Sequence, residues 1–415
     1  MIFPEVVAPE KAGFSSKRME RVDALMRRYV DPGHIAGTIS LIYRKGHIVH
    51  AQTHGERDRE TGAPMTLDTI LRIYSMTKPI TTVAALMLME GGAFLLNDPI
   101  AKFIPAFEDV RVHAGNDAMG LVLVKPERPP TIQDLMRHTA GLSYGWHQDS
   151  PVEALYRQSV GPRMRTSLAE FVDTLATMPL LFQPGAAWRY SFATDVLGRV
   201  VEVASGQSLD DFFRQHILKP LGMDETGFHV PEADHHRFAT NYSIFEEMRF
   251  GADLSGLPSH PPLHVLDAAQ TSSYLRPPAM LSGGGGLVST TADYLRFCQM
   301  LLNGGILDGA RLLGPKTVAL MRANHLPPAL MPIGMKPNLR HGYGFGLGVR
   351  VLVDVAASAM TGSAGNYGWS GAAGTYFWID PVEEMIGIFM MQFMPSDFYP
   401  IQAQFQNAVY QALVD

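Results

Sequence analysis

The sequence predicts an α/β protein of the α+β kind, with an antiparallel sheet flanked by helices and a mainly helical insertion. Three observations carry this. β-rich runs gather near the N-terminus in "GTISLIYRKGHIVHAQTHGERD" and near the C-terminus in "GFGLGVRVLV", "AAGTYFWID" and "EMIGIFMMQFM". Between them, to about residue 240, the strong signals are helices and turns. No segment repeats at a fixed period. The expected division is residues 1–74 and 285–415 for the sheet-bearing unit and 75–284 for the helical one. A cleft between two such units is the natural place for a site.

The first two runs flank Lys45-Gly46 and read as a hairpin. After Ser75, the apolar positions Ile80, Val83, Leu86 and Leu88 fit a helix that stops near Gly91-Gly92. "TIQDLMRHTAG" has Thr131 as cap and is expected to run to Gly141; "SPVEALYRQ" starts on Ser150 with Pro151 at the first helical position. "SLDDFFRQHIL" has the S-x-x-D form of a capping box. Residues 240–280, rich in Pro and Ser, read as irregular. "SGGGGLVSTTADYLRFCQMLLNGG" reads as a glycine turn and a helix capped between Ser289 and Thr291, and "QAQFQNAVYQALV" as a closing helix.

Composition narrows the function. The chain has 415 residues, is 46% hydrophobic and 18% charged, and carries a formal net charge of −6 without a long run of one sign. That balance suits a folded protein and gives no basic surface for nucleic acid or an anionic membrane. The single cysteine, Cys298, sits among apolar residues at helical spacing and reads as a buried small hydrophobe. The N-terminal "MIFPEVVAPEKAGFSS" lacks a basic stretch followed by an apolar one, and the longest apolar runs fall short of the roughly 20 residues a spanning helix needs. The expectation is a cytoplasmic protein acting on a small molecule. The fifteen histidines show no H-E-x-x-H spacing, so no metal or cofactor is expected. His47, His50 and His54 read as exposed hairpin residues.

Two serines carry textual signatures of a nucleophile. "RHTAGLSYGWH" places Ser143 in G-x-S-x-G, but a nucleophile elbow needs a strand before the serine and a helix directly after it. Here a helix precedes Ser143 and the next starts only near Ser150, and two glycines around a loop serine are common turn chemistry. "LRIYSMTKPITTVAALMLMEGG" places Ser75 at a helix start, with Pro79 tolerated in the first turn. Positions three apart share a helix face, so Ser75 and Lys78 can point into one pocket. The helix N-terminus favours a serine alkoxide. The same positive charge disfavours a protonated Lys78; a lysine neutral near pH 7 can take the serine proton, whereas one at its ordinary pKa of about 10.4 cannot.

Two later stretches add to the pair. "FQPGAAWRYSFATDVLG" has a Pro-Gly turn, Tyr190-Ser191-Phe192, then a helix; "NYGWSGAAGTYFWID" has Trp369-Ser370-Gly371 and then small residues at what reads as a strand start. With "HTAGLSYG", "LKPLGMDETGF", "SGGGGLVSTTADYLRF" and "GYGFGLGV", these occur in the order found in the serine β-lactamase and penicillin-binding-protein superfamily. From about residue 15 onward the chain resembles the family VIII carboxylesterases, which have a class C β-lactamase-like fold. The resemblance implies Ser75 as nucleophile, Lys78 as the partner of its proton, and Tyr190 as general base and then donor to the leaving group. It implies an oxyanion hole from the N–H groups of Ser75 and Ala372, and substrate contacts from Trp369, Ser370, Gly371 and Phe192.

The pattern departs from the drug-hydrolysing relatives at two points. Their K-T-G triplet is Trp369-Ser370-Gly371 here, and Phe192 replaces the asparagine of Y-x-N. A tryptophan for a lysine removes the cation that engages a substrate carboxylate, and the lost asparagine removes a partner for an amide. Both changes favour neutral, apolar esters. The expected activity is hydrolysis of short-chain carboxylic esters through an acyl-enzyme on Ser75. Acyl transfer, weak β-lactamase or D-amino-peptidase activity, and a non-catalytic penicillin-binding-like scaffold are the alternatives. The sequence gives no oligomeric state.

Overall fold

A computed structural model of the chain describes residues 5–160, 166–249, 251–335 and 338–415. Part of the N-terminal reading rests on residues 1–4, which lie outside the described residues, as does residue 250 within the 240–280 stretch.

One eight-stranded sheet organises the fold. Its strands are β1 Gly37–Arg44, β2 His47–Asp58, β3 Ala63–Pro64, β4 Tyr343–Phe345, β5 Arg350–Leu352, β6 Tyr367–Ser370, β7 Tyr376–Asp380 and β8 Met385–Met391. Their order is β4-β5-β6-β7-β8-β1-β2-β3, and every neighbouring pair is antiparallel. The two ends of the chain meet where β8 pairs with β1, from Thr38 opposite Met391 to Arg44 opposite Met385. The β1–β2 turn places Lys45 and Gly46 at φ of 47° and 87°, the left-handed pair a tight hairpin requires.

Side chains alternate across the sheet with the period-2 rule. Ile39, Leu41, Phe377, Ile379, Ile388 and Met390 join one core with helices α2 Thr77–Glu90 and α8 Thr291–Leu302. Ile42, Tyr376, Trp378, Phe389 and Met391 join another core with α1 Ser16–Val30 and α9 Ile401–Tyr410. Cys298 is buried in α8. Helices between the two strand groups include, besides α2 and α8, α3 Ile132–Met136, α4 Pro151–Val160, α5 Leu168–Ala176, α6 Ala193–Ser205 and α7 Leu209–Phe213. Thr131 caps α3 with a reciprocal bond pair to Asp134, and Ser208 caps α7.

Several local readings change. α3 stops at Met136 and not at Gly141, because His138 turns left-handed at φ 57°. "GFGLGVRVLV" is two strands, not one: Gly348 at φ 73° and the Gly346–Val349 hydrogen bond fold it into the β4–β5 hairpin. Trp369 and Ser370 end β6, with Gly371–Thr375 turning into β7, so the triplet closes a strand and does not open one. The 240–280 stretch contributes Asn241–Ser243 and His264–Asp267 to a small sheet with Phe393–Met394. Val112–Asp117 and Gly120–Val124 form a hairpin within the helical stretch. Among the described residues, no helix is long and apolar enough to cross a membrane.

Candidate active site

The nucleophile candidate sits on a strained turn. Leu71–Arg72 pairs with Val288–Ser289, and the fully buried Arg72 is fixed by Asp267 at 2.7 Å, the Ala239 carbonyl at 2.6 Å and the Phe238 ring at 4.1 Å. Two residues on, Tyr74 adopts φ of 41°, a left-handed conformation that a bulky residue holds only when its surroundings impose it. Tyr74–Met76 form one 3₁₀ turn that runs into α2 at Thr77. The turn leaves Ser75 partly exposed and carries Lys78 into the interior, where its side chain has no solvent exposure.

The buried lysine touches each part of the site. Its Nζ donates to Ser75 Oγ at 3.2 Å and to the Gly284 carbonyl at 2.6 Å. It also lies 4.6 Å from the centre of the Tyr190 ring and 5.4 Å from that of Tyr144. Gly284 faces the other way with its N–H, which donates to Asp195 Oδ1 at 3.0 Å; Ser282 Oγ donates to the same oxygen at 2.5 Å. A side chain on Gly284 would overlap the Asp195 carboxylate, so this bridge requires glycine. One residue, Gly284, thus links a buried carboxylate to the lysine through its two flanking peptide groups.

Tyr190 stands three residues before α6, in a wall of rings. Trp369 Nε1 donates to its phenol oxygen at 3.2 Å, with ring centres 5.4 Å apart. His138, Tyr144, Trp146 and Trp188 lie 4.8, 5.2, 6.0 and 6.3 Å from its ring. Phe192 is buried against Tyr144 and Phe171. The Gly371–Thr375 turn lies on Ile73, whose carbonyl accepts from Thr375 Oγ1 at 3.4 Å; this holds Ser370, Gly371 and the partly exposed Ala372 beside the Ser75 turn.

Burial sets the electrostatics. It pushes the Asp195 carboxyl up from its ordinary value, while the Lys78 charge and the bonds from Ser282 and Gly284 pull it back. The Tyr144 phenol is pushed well up, first by burial and then by Tyr190 and Asp195. His138 is pushed well down by burial and by Lys78, so this imidazole is neutral near pH 7. Lys78 and Asp195 are therefore flanked by a neutral imidazole, His138, and by a phenol that holds its proton, Tyr144.

The structure brings Ser75, Lys78, Tyr190 and the Trp369 triplet together and leaves Ser143 apart. Ser143 is buried, donates to Glu153 Oε2 at 2.7 Å and accepts from the Gly145 N–H at 3.0 Å, as a loop brace does. Sequence reasoning missed Asp195, Gly284, His138 and Tyr144. Asp195 left one signal, a carboxylate in the first turn of an otherwise apolar helix start, "SFATDVLG". The hairpin histidines also differ from expectation: His47 is exposed, but His50 is buried and His54 nearly so, because α1 lies over that face of β1 and β2. Among the described residues, no group of three or more His, Cys, Asp or Glu is arranged to hold a metal ion.

A family model described as Beta-lactamase matches residues 22–411. Protein Rv1367c from Mycobacterium tuberculosis is 35% identical over 390 residues, 90% of each chain. Esterase EstB from Burkholderia gladioli is 32% identical over 369 residues, 87% of this chain and 86% of its own. Among solved structures, EstCE1, a hydrolase with promiscuous acyltransferase activity, superposes with a TM-score of 0.77 at 30% identity, covering 95% of this chain and 99% of its own.

Proposed function

This chain belongs to the beta-lactamase family and is similar to its family VIII esterases, and from that premise we propose that it is a serine carboxylesterase acting on short-chain esters. The observation that supports this most directly is the fully buried Lys78, with its Nζ 3.2 Å from Ser75 Oγ and 4.6 Å from the Tyr190 ring. In this reading Ser75 Oγ attacks the ester carbonyl as its proton passes to the Lys78–Tyr190 pair. The N–H groups of Ser75 and Ala372 hold the oxyanion, and Tyr190 protonates the departing alcohol. Water then attacks the acyl-enzyme with Tyr190 as base. The two units, residues 1–74 with 285–415 and residues 75–284, frame the cleft in which this takes place.

Trp369 and Phe192 favour neutral acyl and alcohol groups, because neither offers a charge to a substrate carboxylate. A second reading, acyl transfer to an alcohol, draws on the named activity of EstCE1 and on the partly exposed aromatic rim, which could hold an acceptor. The test is a panel of p-nitrophenyl esters of increasing acyl length, with nitrocefin and with added alcohol acceptors. Ser75→Ala should fall to background and lose fluorophosphonate labelling, whereas Ser143→Ala should lose no more than about tenfold. Activity that survives in Ser75→Ala but vanishes in Ser143→Ala overturns the assignment.

A further inference from the structure

The G-x-S-x-G stretch, excluded as a nucleophile elbow, has an organised use. Residues 143–147 alternate in what they touch. On one side, Ser143 Oγ and the His147 N–H bond Glu153 Oε2 at 2.7 and 3.4 Å, and the Gly145 carbonyl accepts from Arg157 at 2.8 Å. Both Glu153 and Arg157 belong to α4. On the other side, the rings of Tyr144 and Trp146 stack on each other at 4.2 Å and face Tyr190. Gly145 makes the close approach to α4 possible: at φ 78°, a Cβ there would stand 2.8 Å from the Arg157 nitrogen.

Glu153 has no solvent exposure, and its second oxygen lies 3.4 Å from the Arg189 guanidinium. Arg189 immediately precedes Tyr190; its N–H bonds the His138 carbonyl at 2.9 Å and its guanidinium bonds Asp149 at 2.9 Å. A buried carboxylate persists only when it is paired and hydrogen-bonded. This one is bonded to the loop that carries Tyr144 and paired with the residue beside Tyr190. The two phenols that face Lys78 come from separate segments, and Glu153 joins both.

We propose that Glu153 is a positioning residue for the proton-transfer group, fixing Tyr144 and Tyr190 over Lys78 through Ser143 and Arg189. The inference rests on the esterase reading above. A misplacement of reacting groups by about 1 Å can cost on the order of a hundredfold in rate, so loosening this anchor should lower kcat without weakening binding of a small ester.

The test compares Glu153→Gln, Arg189→Gln and Arg189→Lys with wild type on p-nitrophenyl acetate, at a temperature where circular dichroism shows each to be folded. Glu153→Gln should lose about tenfold or more in kcat with KM within about twofold, and Arg189→Lys should retain more kcat than Arg189→Gln. If Glu153→Gln does not fold, the two Arg189 variants decide by the same kcat and KM pattern. Folded variants that keep wild-type kcat, or a loss confined to melting temperature, overturn the inference. A wild type without esterase activity, or a Ser75→Ala variant that keeps it, would instead sink the reading on which it rests.

Discussion

Trp369 donates its indole N–H to the phenol oxygen of Tyr190 at 3.2 Å. The residue that stands in place of the K-T-G lysine thus reaches the proton-transfer group itself. A hydrogen bond to a charged partner is worth about 1.5–3 kcal/mol. If Tyr190 carries negative charge in the reaction, Trp369→Phe, which keeps the ring and removes the donor, should lower kcat/KM for short esters by about 10–100-fold. Trp369→Lys should lower ester turnover and raise the relative efficiency toward nitrocefin. Steady-state kinetics on both substrates, with melting temperatures in parallel, decide it. A Trp369→Phe enzyme as fast as wild type would show the bond to be incidental.

Lys78 and Tyr190 should behave as one unit, because the lysine Nζ lies 4.6 Å from the tyrosine ring and 3.2 Å from Ser75 Oγ. Positioned acid–base groups contribute about 10²–10⁴-fold. Lys78→Ala and Tyr190→Phe should each lose at least that order. The double variant should lose far less than the product of the two, since a unit broken once has little left to lose. Single-turnover rates for the four enzymes measure this, and multiplicative losses would count against shared proton transfer.

Asp195 gives the same site a test with two independent readouts. Its carboxyl holds its proton more tightly in the folded chain, chiefly because it is buried. The sign follows: a raised carboxyl contributes stability at low pH, and this is lost as pH rises through the folded value, so at pH 7 the buried charge opposes folding. Asp195→Asn keeps an acceptor for the Gly284 N–H and removes the charge. Its melting temperature at pH 7 should equal or exceed that of wild type. Its kcat should fall by about tenfold or more, because the variant removes the negative charge that faces Lys78 and weakens the bond to Gly284, whose carbonyl holds the lysine. A less stable but fully active variant would contradict both halves.

What the sequence disclosed and what it hid follow from the range of the interactions. The β1–β2 hairpin and α2 were legible because period-2 and helical apolar patterns sit in contiguous residues, with Lys45-Gly46 and Gly91-Gly92 marking their ends. The Asn241–Ser243 and His264–Asp267 strands were not, being three and four residues long in Pro-rich text and stabilised by Phe393–Met394 far along the chain. Ser75, Lys78 and Tyr190 were named from local motifs. Asp195 and Glu153 were not, because each acquires its role from partners such as Gly284 and Arg189, which no local spacing connects to it. His50 was misread as exposed for a related reason: on β2 it follows an apolar pair, and only the packing of α1 determines which strand face is covered.

That packing gives His50 a measurable effect on stability. Its Nε2 bonds Ser40 Oγ at 2.8 Å beneath α1, and the Asp23 carboxylate lies 4.0 Å away. Burial lowers its pKa from the ordinary 6.5 to about 4, with Asp23 opposing the change and His54 adding to it. A histidine held neutral in the folded chain contributes stability that is present above its unfolded value and is lost as pH falls through the folded one. The window is therefore from about pH 6.5 down to about pH 4. One extra proton bound by the unfolded chain over that interval, at about 1.4 kcal/mol per pH unit, removes about 3 kcal/mol. His50→Gln keeps a polar partner for Ser40 but cannot take the proton. It should be somewhat less stable than wild type at pH 7.5 and show a shallower decline between pH 6.5 and 4.5. Other carboxylates and histidines titrate in the same range, so the deciding quantity is the difference between the two urea-unfolding curves as pH is lowered. If that difference stays constant across the window, His50 is not the group that charges, and the acid sensitivity of the sheet under α1 must come from elsewhere in the fold.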